Sequence, residues 1–310
     1  MRTAAGRETA DRQGPSQIIP RVEEMSLSKR MAVVGVGLIG GSLARILRQQ
    51  GAVGEIVGIG RTEPNLRRAV ELGVIDRYSQ DPCIGVQGAD LVFLATPVCS
   101  IASVLQKIAP CLAPGCIVTD GGSVKESVLA ECEPLMPPGT HFVGGHPIAG
   151  TEKSGVDASF ATLFQGKRCI VTPSEHTDQR ALQAVVRMWE LAGSDVVQMD
   201  AHKHDRIVAA ISHLPHMVAY SLVNAVEGYD RFEESILKYS AGGFRDFTRI
   251  ASSDPAMWRD IALMNSPAIL ELMDFFADYF GRLRTLVANE DSDGLQEFFA
   301  ESKRSRDAIL

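Results

Sequence analysis

The chain contains 310 residues, of which 45% are hydrophobic and 22% charged, so it is too apolar to be wholly disordered and long enough for about two domains. Its 31 basic and 38 acidic side chains give a net charge of −7. A protein-wide basic surface is therefore absent, and we expect no nucleic-acid partner. No apolar stretch reaches the roughly 18 residues of a membrane span without a Pro, Gly or polar interruption, so we expect no membrane segment.

The first 29 residues are polar and lack the apolar core of a secretory signal, so they are predicted to form a disordered tail. The chain has six cysteines and no C-x-x-C pair. Several of the six lie within apolar runs. We therefore interpret all six as buried thiols of a cytoplasmic protein, kept reduced in that compartment.

Between residue 30 and residue 197, short apolar runs alternate with stretches of helical periodicity. The predicted strands are 31–35, 55–59, 89–95, 116–120, 142–144, 168–172 and 195–199, and the predicted helices are 38–50, 65–72, 101–109, 124–132 and 179–192. This alternation favours an α/β fold with a Rossmann-like, doubly wound and mostly parallel sheet.

Between residue 198 and residue 310 the sequence indicates helices only. They are predicted at 207–226, 233–239, 257–264, 267–288 and 295–309. Pro215 is expected to kink the first of them or to begin a new segment. The helices are strongly apolar for a unit of this size, which predicts an all-helical domain that buries one face against a second copy of the chain.

A glycine-rich loop at 35–40 (GVGLIG) follows the first predicted strand and opens the first predicted helix. In this context the pattern G-x-G-x-x-G is typical of dinucleotide binding. Gly35 would permit the tight turn, Gly37 would let the backbone approach a pyrophosphate, and Gly40 would let helix and strand pack closely. The alternative is a glycine-rich turn that binds nothing.

The end of the second predicted strand bears on the choice of cofactor. An NAD site usually has an acidic residue there, which binds the ribose 2′-hydroxyl, but this chain has Gly60 followed by Arg61. A 2′-phosphate would meet no carboxylate and could pair with Arg61, which favours NADP. Alternatively, Arg61 is solvated or stacks on the adenine, and NAD is accepted.

Two motifs follow later strands. Ser123, in DGGSVK (120–125), lies where a strand end runs into a helix, which is a ligand-binding position in doubly wound sheets and also the position of an ordinary helix N-cap. His146, in GGHPIAGTE (144–152), is expected on a tightly shaped loop. Its imidazole suits a general base for an alcohol proton, although a structural role is the alternative.

Arg245 and Arg249 are four residues apart and would share one face of a helix. Two such arginines, with glycines nearby, suit a substrate that carries carboxylates. Internal pairing with Asp246 or Asp254 is the alternative.

Four histidines, at positions 202, 204, 213 and 216, are close together in sequence. They lack the i, i+4 spacing of zinc peptidases, and no cysteine is nearby, so we predict no metal site. Trp258 is interpreted as a core or interface aromatic, with a place in the wall of a substrate pocket as the alternative.

Taken together, the motifs resemble the prephenate/arogenate dehydrogenase family of tyrosine biosynthesis. The resemblance covers about residues 31–310 and is carried by VGVGLIGGSLA (34–44), DGGSVK (120–125), VGGHPIAGTEKSG (143–155), SHLPH (212–216) and GGFRDFTRIASSDPAMWRDI (242–261). It implies an NAD(P)-dependent oxidative decarboxylation of prephenate to 4-hydroxyphenylpyruvate, and a homodimer that forms through the helical domain.

The resemblance also implies roles for single residues. His146 would accept the proton of the ring hydroxyl, Ser123 would contact both that hydroxyl and His146, and Arg249 would bind a carboxylate. The other residues that it places near the substrate are His213, His216, Gly243, Arg245, Trp258, Thr151 and Glu152. Those that it places near the cofactor are Gly35, Gly37, Leu38, Ile39, Gly40, Arg61, Thr96, Pro97 and Ser123.

Other functions stay open at this point. An arogenate dehydrogenase would use the same chemistry, but many arogenate-preferring members lack the second histidine of H-L-P-H, so His216 favours prephenate. A reductase of imines or 2-hydroxy acids would explain the glycine loop but not the motifs around His146 and His216. A nucleotide-sensing dimer without activity is disfavoured by the presence of His146, Ser123 and Arg249.

Overall fold

A computed structural model of the chain describes residues 26–151, 153–229 and 236–309. Its first part is one eight-stranded sheet. The strands are β1 (Ser28–Val34), β2 (Val53–Ile59), β3 (Arg77–Ser79), β4 (Leu91–Leu94), β5 (Ile117–Asp120), β6 (His141–Pro147), β7 (Arg168–Thr172) and β8 (Asp195–Gln198). Their order is β3-β2-β1-β4-β5-β6-β7-β8, and every neighbouring pair is parallel except β6 and β7. The predicted doubly wound, mostly parallel sheet is confirmed.

Six helices cover the two faces of the sheet. They are α1 (Leu38–Gln49), α2 (Glu63–Glu71), α3 (Pro82–Val86), α4 (Ile101–Ile108), α5 (Glu126–Cys132) and α6 (Gln179–Leu191). Apolar side chains of α1, α2 and α6 form one core, and those of α3, α4 and α5 form the other. All four residues of β4 are buried, because a central parallel strand is covered on both faces and therefore has no polar alternation.

Two elements were not predicted, and one strand begins earlier than expected. Strand β3 is only three residues long and partly exposed, and α3 has five residues, with Asp81 as its N-cap. Strand β1 begins at Ser28, so residues 28 and 29, which we assigned to the tail, belong to the sheet. They pair there because the Asp90 carboxylate accepts hydrogen bonds from the Ser28 hydroxyl and from the Lys29 N–H. Residues 1–25 of the predicted tail lie outside the described residues.

The interpretation of all six cysteines as buried thiols is wrong for three of them. Cys83 of α3 and Cys111, just after α4, form a disulfide with Cα atoms 5.5 Å apart, and Cys99 is exposed. The pairing was not visible in the sequence because it depends on the packing of α3 against α4. Cys116, Cys132 and Cys169 are buried free thiols, as predicted, and burial raises the pKa of each of them.

In the second part of the chain, the described residues between 201 and 309 form helices and no strand, as predicted. Its α-helices are α7 (Ala201–Val208), α8 (Leu214–Gly228), α9 (Gly242–Thr248), α10 (Pro255–Met264), α11 (Ser266–Ala288) and α12 (Ser292–Asp307). Short 3₁₀ turns lie at Ile236–Tyr239 and Arg249–Ser252. The helix predicted at 233–239 is thus a 3₁₀ turn over its last four residues, and its first three lie outside the described residues.

A π-helical turn, Ala209–His213, joins α7 to α8, whose second residue is Pro215. Proline has no N–H for the hydrogen bond to the preceding turn, and a wider turn accommodates this without ending the helix. The continuous helix Ala201–Gly228 is consequently long and apolar enough to cross a membrane, judged by length and composition alone. The expectation concerned stretches without a Pro, Gly or polar interruption, and this helix contains Pro215, which does not end it.

The two parts of the chain share the core that lies on the α5 side of the sheet. Trp258 and Ile261 of α10 are buried among its apolar side chains. The Ser127 hydroxyl of α5 donates a hydrogen bond to the Met264 carbonyl over 2.9 Å. The helical part is therefore held against the sheet by both apolar packing and hydrogen bonds.

A buried ion pair lies where β5, β6 and α5 meet. The ammonium group of Lys125 contacts the Asp120 carboxylate and donates a hydrogen bond to the Gly145 carbonyl over 3.0 Å. Neither Lys125 nor Asp120 has any exposed side-chain surface. Asp120 also accepts hydrogen bonds from the Gly122 and Gly145 N–H groups, so the pair fixes the loop after β5 against β6.

Replacing Lys125 with methionine should leave the Asp120 charge unpaired in a site that excludes water. We expect Lys125→Met to lower the free energy of unfolding by about 3–5 kcal/mol, measured by urea denaturation. The double variant Lys125→Met/Asp120→Asn, which removes both charges, should recover part of this loss. A single variant as stable as the unmodified protein would contradict this role of the pair.

Candidate active site

The three glycines of the loop after β1 have different surroundings. Gly35 has φ +95°, and a Cβ there would lie 2.5 Å from the Ala95 carbonyl oxygen. A Cβ on Gly40 would lie 2.2 Å from the Gly35 oxygen, whereas one on Gly37 would have no atom within 4 Å. Gly35 and Gly40 are thus required by packing. Gly37 leaves open space at the N-terminus of α1, where backbone N–H groups can bind a pyrophosphate.

The other predicted cofactor residues lie along the same edge of the sheet. Leu38 and Ile39 begin α1, and Thr96 and Pro97 follow β4, which pairs with β1. The Thr96 hydroxyl is buried and has no hydrogen-bond partner among the described residues. A buried hydroxyl without a partner is costly, and a dinucleotide at this edge would satisfy it. The residues present therefore fit a dinucleotide.

Arg61 follows β2 at this edge and is exposed. Its carbonyl accepts a hydrogen bond from Gln80 over 2.9 Å. Within the described ranges its guanidinium has neither a hydrogen bond nor an ion pair, so it is available to a ligand. The neighbouring Gly60 contributes no side chain to this corner.

His146 lies within β6 and not on a loop, which corrects the prediction. The first half of β6 pairs with β5, and the second half pairs with the antiparallel β7, where His146 lies opposite Ile170. Glycines and a proline have low strand propensity, and they hid this half of the strand in the sequence. The strand fixes the position of the imidazole more firmly than a loop would.

Three side chains form a chain of hydrogen bonds that begins at this strand. His146 Nδ1 is 2.8 Å from His204 Nε2, and His204 Nδ1 is 2.7 Å from Asp205 Oδ1. The Asp205 carboxylate also accepts from the N–H groups of Lys125, over 2.8 Å, and Glu126, over 2.9 Å. His204 is completely buried, and His146 is partly exposed. One carboxylate thus caps α5 and holds the histidine pair.

The surroundings of His146 keep its imidazole neutral. Burial lowers the pKa of His146 well below the value of an ordinary histidine, and positive charge on His204, Lys125 or His213 would lower it further. Burial also lowers the pKa of His204, although the hydrogen bond to Asp205 opposes that shift. A neutral imidazole is the form that can accept a proton.

Ser123 is not the N-cap of α5, which removes the structural alternative for this residue. The first N–H groups of that helix are capped from another element, by Asp205. The Ser123 side chain is half-buried and makes no hydrogen bond to any described residue. Its hydroxyl is therefore free to bind a ligand beyond the end of β5.

The end of the π-helical turn and the start of α8 carry a second aromatic group. His216 stacks on Trp258 with ring centroids 3.6 Å apart, and His213 meets the same indole edge-on at 5.9 Å. Burial lowers the pKa of His213 to about 4. It also lowers the pKa of His216, and the positive charge of Arg249 adds to that effect. Arg249 thus lies close enough to His216 to act on it electrostatically.

Two polar groups near His216 have no partner among the described residues and are available to a ligand. The indole N–H of Trp258 is buried and unpaired among the described residues. Arg249 is exposed, and among those residues it has no ion pair. The predicted alternative, internal pairing of the arginines with Asp246 or Asp254, does not occur, so a free guanidinium faces solvent.

The remaining predicted substrate residues are less closely associated. Arg245 donates to the Ser240 hydroxyl over 3.3 Å. Helix α9 ends at Thr248, so Arg245 and Arg249 do not lie on one regular helix face, contrary to the prediction. Gly243 is exposed in α9. Thr151 is exposed and accepts from the Lys153 N–H. Glu152 lies outside the described residues.

Sequence reasoning did not assign a role to His204, Asp205 or Asn265. His204 entered only as a possible metal ligand, and no group of three or more His, Cys, Asp or Glu side chains within 26–151, 153–229 and 236–309 could hold a metal ion. Asn265 donates to the Asp205 carbonyl and lies 3.1 Å from His213 Nδ1. The one available signal was the run H-K-H-D (202–205) at the start of a helix that is otherwise apolar.

Two family models match the chain in succession. The prephenate dehydrogenase nucleotide-binding domain matches residues 43–198, and the prephenate dehydrogenase dimerization domain matches residues 200–301. The chain belongs to the prephenate dehydrogenase family. The family is enzymatic and NAD-dependent, so the prediction of an NAD(P)-dependent oxidoreductase is confirmed.

Relatives and solved structures agree with this membership. The chain is 40% identical to the cyclohexadienyl dehydrogenase of Zymomonas mobilis, over 92% of the chain and 97% of that protein. It is 37% identical to the prephenate dehydrogenase of Bacillus subtilis, over 89% and 75%. The crystal structure of Aquifex aeolicus prephenate dehydrogenase with hydroxyphenyl propionate and NAD+ superposes with a TM-score of 0.86 at 38% identity, over 91% of this chain and 98% of that one.

The glycine loop offers a matched pair of substitutions. Gly37→Ala adds a methyl group where the protein leaves space, so we expect unchanged thermal stability but at least tenfold weaker NAD+ and NADP+ binding, because the methyl group blocks the pyrophosphate. Gly40→Ala creates a clash with the Gly35 carbonyl and should lower the melting temperature. Thermal unfolding and cofactor titration by calorimetry measure both effects. Wild-type cofactor affinity in Gly37→Ala would contradict this placement of the pyrophosphate.

Proposed function

We propose that the protein oxidises and decarboxylates prephenate to 4-hydroxyphenylpyruvate, with transfer of a hydride to NAD(P)+. The observation that carries the proposal is a neutral His146, held by a buried histidine–carboxylate pair in the same site region as an unpaired Arg249. Prephenate has one ring hydroxyl and two carboxylates. It therefore requires a base and a cationic anchor, and His146 and Arg249 are proposed to supply them.

In this mechanism His146 accepts the proton of the ring hydroxyl, and Ser123 donates to or accepts from the same oxygen. A nicotinamide cofactor held at Gly37 and Thr96 would supply the acceptor for the hydride that leaves the carbon bearing the hydroxyl. The C–O bond becomes a carbonyl as that carbon is oxidised, the C–C bond to the ring carboxylate breaks, and CO2 leaves. The electron pair of the broken bond completes the aromatic ring, which regains a phenol proton. The protein's task is to orient the substrate and to remove one proton.

Arg249 is proposed to bind a substrate carboxylate, with His216 and Trp258 forming the wall beside it. The buried, unpaired indole N–H of Trp258 supplies one further donor. His213, Arg245, Gly243, Thr151 and Glu152 complete the proposed substrate set. A local positive charge offsets the net charge of −7, which would otherwise repel a dianion.

We also propose a homodimer formed through the helical domain. The family model matched by residues 200–301 is described as a dimerization domain. Helix α11 exposes Leu270, Met273, Phe275, Phe276, Tyr279, Phe280 and Val287 in a single copy of the chain. An apolar surface of this kind is typical of subunit interfaces.

The same proposal takes 30–197 as the dinucleotide-binding domain and 198–310 as the substrate and dimerisation domain. It places the protein in the cytoplasm, without a membrane or nucleic-acid partner. The contacts of the helix Ala201–Gly228 support the absence of a membrane span, because His204, Asp205 and His213 in it bond to other parts of the protein. A lipid-facing helix would not use these polar groups in that way.

The decisive experiment is a spectrophotometric assay of cofactor reduction with prephenate and with arogenate. We expect turnover with prephenate and at least tenfold lower kcat/KM with arogenate.

His146→Asn should lower kcat by roughly 10²–10⁴-fold and leave cofactor binding unchanged. Because the pKa of His146 is lowered, the acidic limb of kcat/KM should lie below about pH 6.5. Absence of activity on both substrates with both cofactors would contradict the proposed function.

We further propose that NADP is preferred over NAD, since Arg61 is unpaired and Gly60 replaces the acidic residue. Arg61→Ala should therefore raise KM for NADP+ several-fold and leave KM for NAD+ nearly unchanged, because only NADP+ carries a 2′-phosphate. Steady-state kinetics with each cofactor measure the two effects. Equal effects on both cofactors would remove the role assigned to Arg61.

A further inference from the structure

We propose that His204 and Asp205 are positioning residues that hold His146 in the tautomer with a proton on Nδ1 and a free lone pair on Nε2. Neither residue is assigned contact with the substrate; both act through His146. The inference rests on the proposed function, in which His146 is the base. It adds two residues and a defined protonation state to that function.

The donor and the acceptor of each hydrogen bond can be assigned from Asp205 onward. Its Oδ1 atom accepts from the Lys125 N–H over 2.8 Å, and its Oδ2 atom accepts from the Glu126 N–H over 2.9 Å. Backbone N–H groups can only donate, so both oxygens of the Asp205 carboxylate act as acceptors. His204 Nδ1, which is 2.7 Å from Oδ1, must therefore carry the proton and donate it.

The donor in the hydrogen bond between His204 and His146 is assigned next. Burial keeps His204 neutral, and a neutral imidazole with a proton on Nδ1 has only a lone pair on Nε2. His146 Nδ1 lies 2.8 Å from that atom and must be the donor. The remaining nitrogen of His146, Nε2, is then unprotonated and can take the proton of the ring hydroxyl.

The same arrangement suits the protonated state. When His146 has taken up the substrate proton, its Nδ1–H still donates to His204, whose other nitrogen is hydrogen-bonded to the Asp205 carboxylate. The backbone N–H of Lys125 is bonded to Asp205, and its ammonium group is paired with Asp120. Without the two positioning residues the imidazole would be free to place a proton on Nε2, where it cannot act as a base.

Two substitutions of His204 separate positioning from packing. In His204→Gln, the amide oxygen can occupy the position of Nε2 and still accept from His146. In His204→Asn, the shorter amide reaches only the position of Nδ1, so it retains the contact with Asp205 and loses the one with His146. His202→Asn, two residues away on the exposed face of α7, is the matched control.

We expect His204→Asn to lower kcat for prephenate roughly 10²-fold with KM changed less than about threefold. His204→Gln should retain kcat within about fivefold of the wild type, and His202→Asn should be unchanged. Equal losses in the Asn and Gln variants would show that His204 is needed only for its size and would overturn the proposal. Full kcat in His204→Asn would overturn it as well.

The tautomer itself is measured by nitrogen NMR of the histidine side chains in the wild-type protein, with His146→Asn used to assign the signals. We expect His146 to be protonated on Nδ1 and unprotonated on Nε2 at neutral pH, and to lose this preference in Asp205→Asn. A wild-type His146 protonated on Nε2 would overturn the proposal. This readout needs no substrate, so it distinguishes a failure here from a failure of the proposed function, which the activity assay reports.

Discussion

The Asp205 carboxylate joins the two parts of the chain. Its oxygens accept from two N–H groups at the start of α5, in the sheet domain, and from His204 in α7. A carboxylate buried in this way is stable only when its acceptor positions are filled. The position of α7 against α5, and through His204 the orientation of His146, therefore depend on this one group.

A second constraint places His146 at the edge of the sheet. Strand β6 continues past its parallel partner β5 because the antiparallel β7 pairs with its last four residues. The buried pair of Lys125 and Asp120 holds this extension to the loop that carries Ser123. The proposed base and its companion serine thus lie on neighbouring strand ends, where doubly wound sheets bind their ligands.

The helical part completes the site through an irregular segment, the π-helical turn Ala209–His213. The π-helical turn before Pro215 keeps α7 and α8 in one continuous helix, so that His204, His213 and His216 are all presented by it. π-helical turns are frequently found at functional sites. Here the turn ends at His213, whose ring meets Trp258, and Trp258 in turn stacks on His216. Packing of α10 against the sheet brings this aromatic group to the site.

Local patterns in the amino-acid sequence were sufficient for the fold class, the glycine loop and the family, because strand and helix periodicity and the spacing of glycines are properties of short segments. His146 and Arg249 were identified as candidates in the same way. Only the tertiary structure showed that Asp205 and not Ser123 caps α5, that His146 lies in a strand, and that Cys83 pairs with Cys111. Each of these depends on contacts between residues far apart in the chain, whose partners no local pattern specifies.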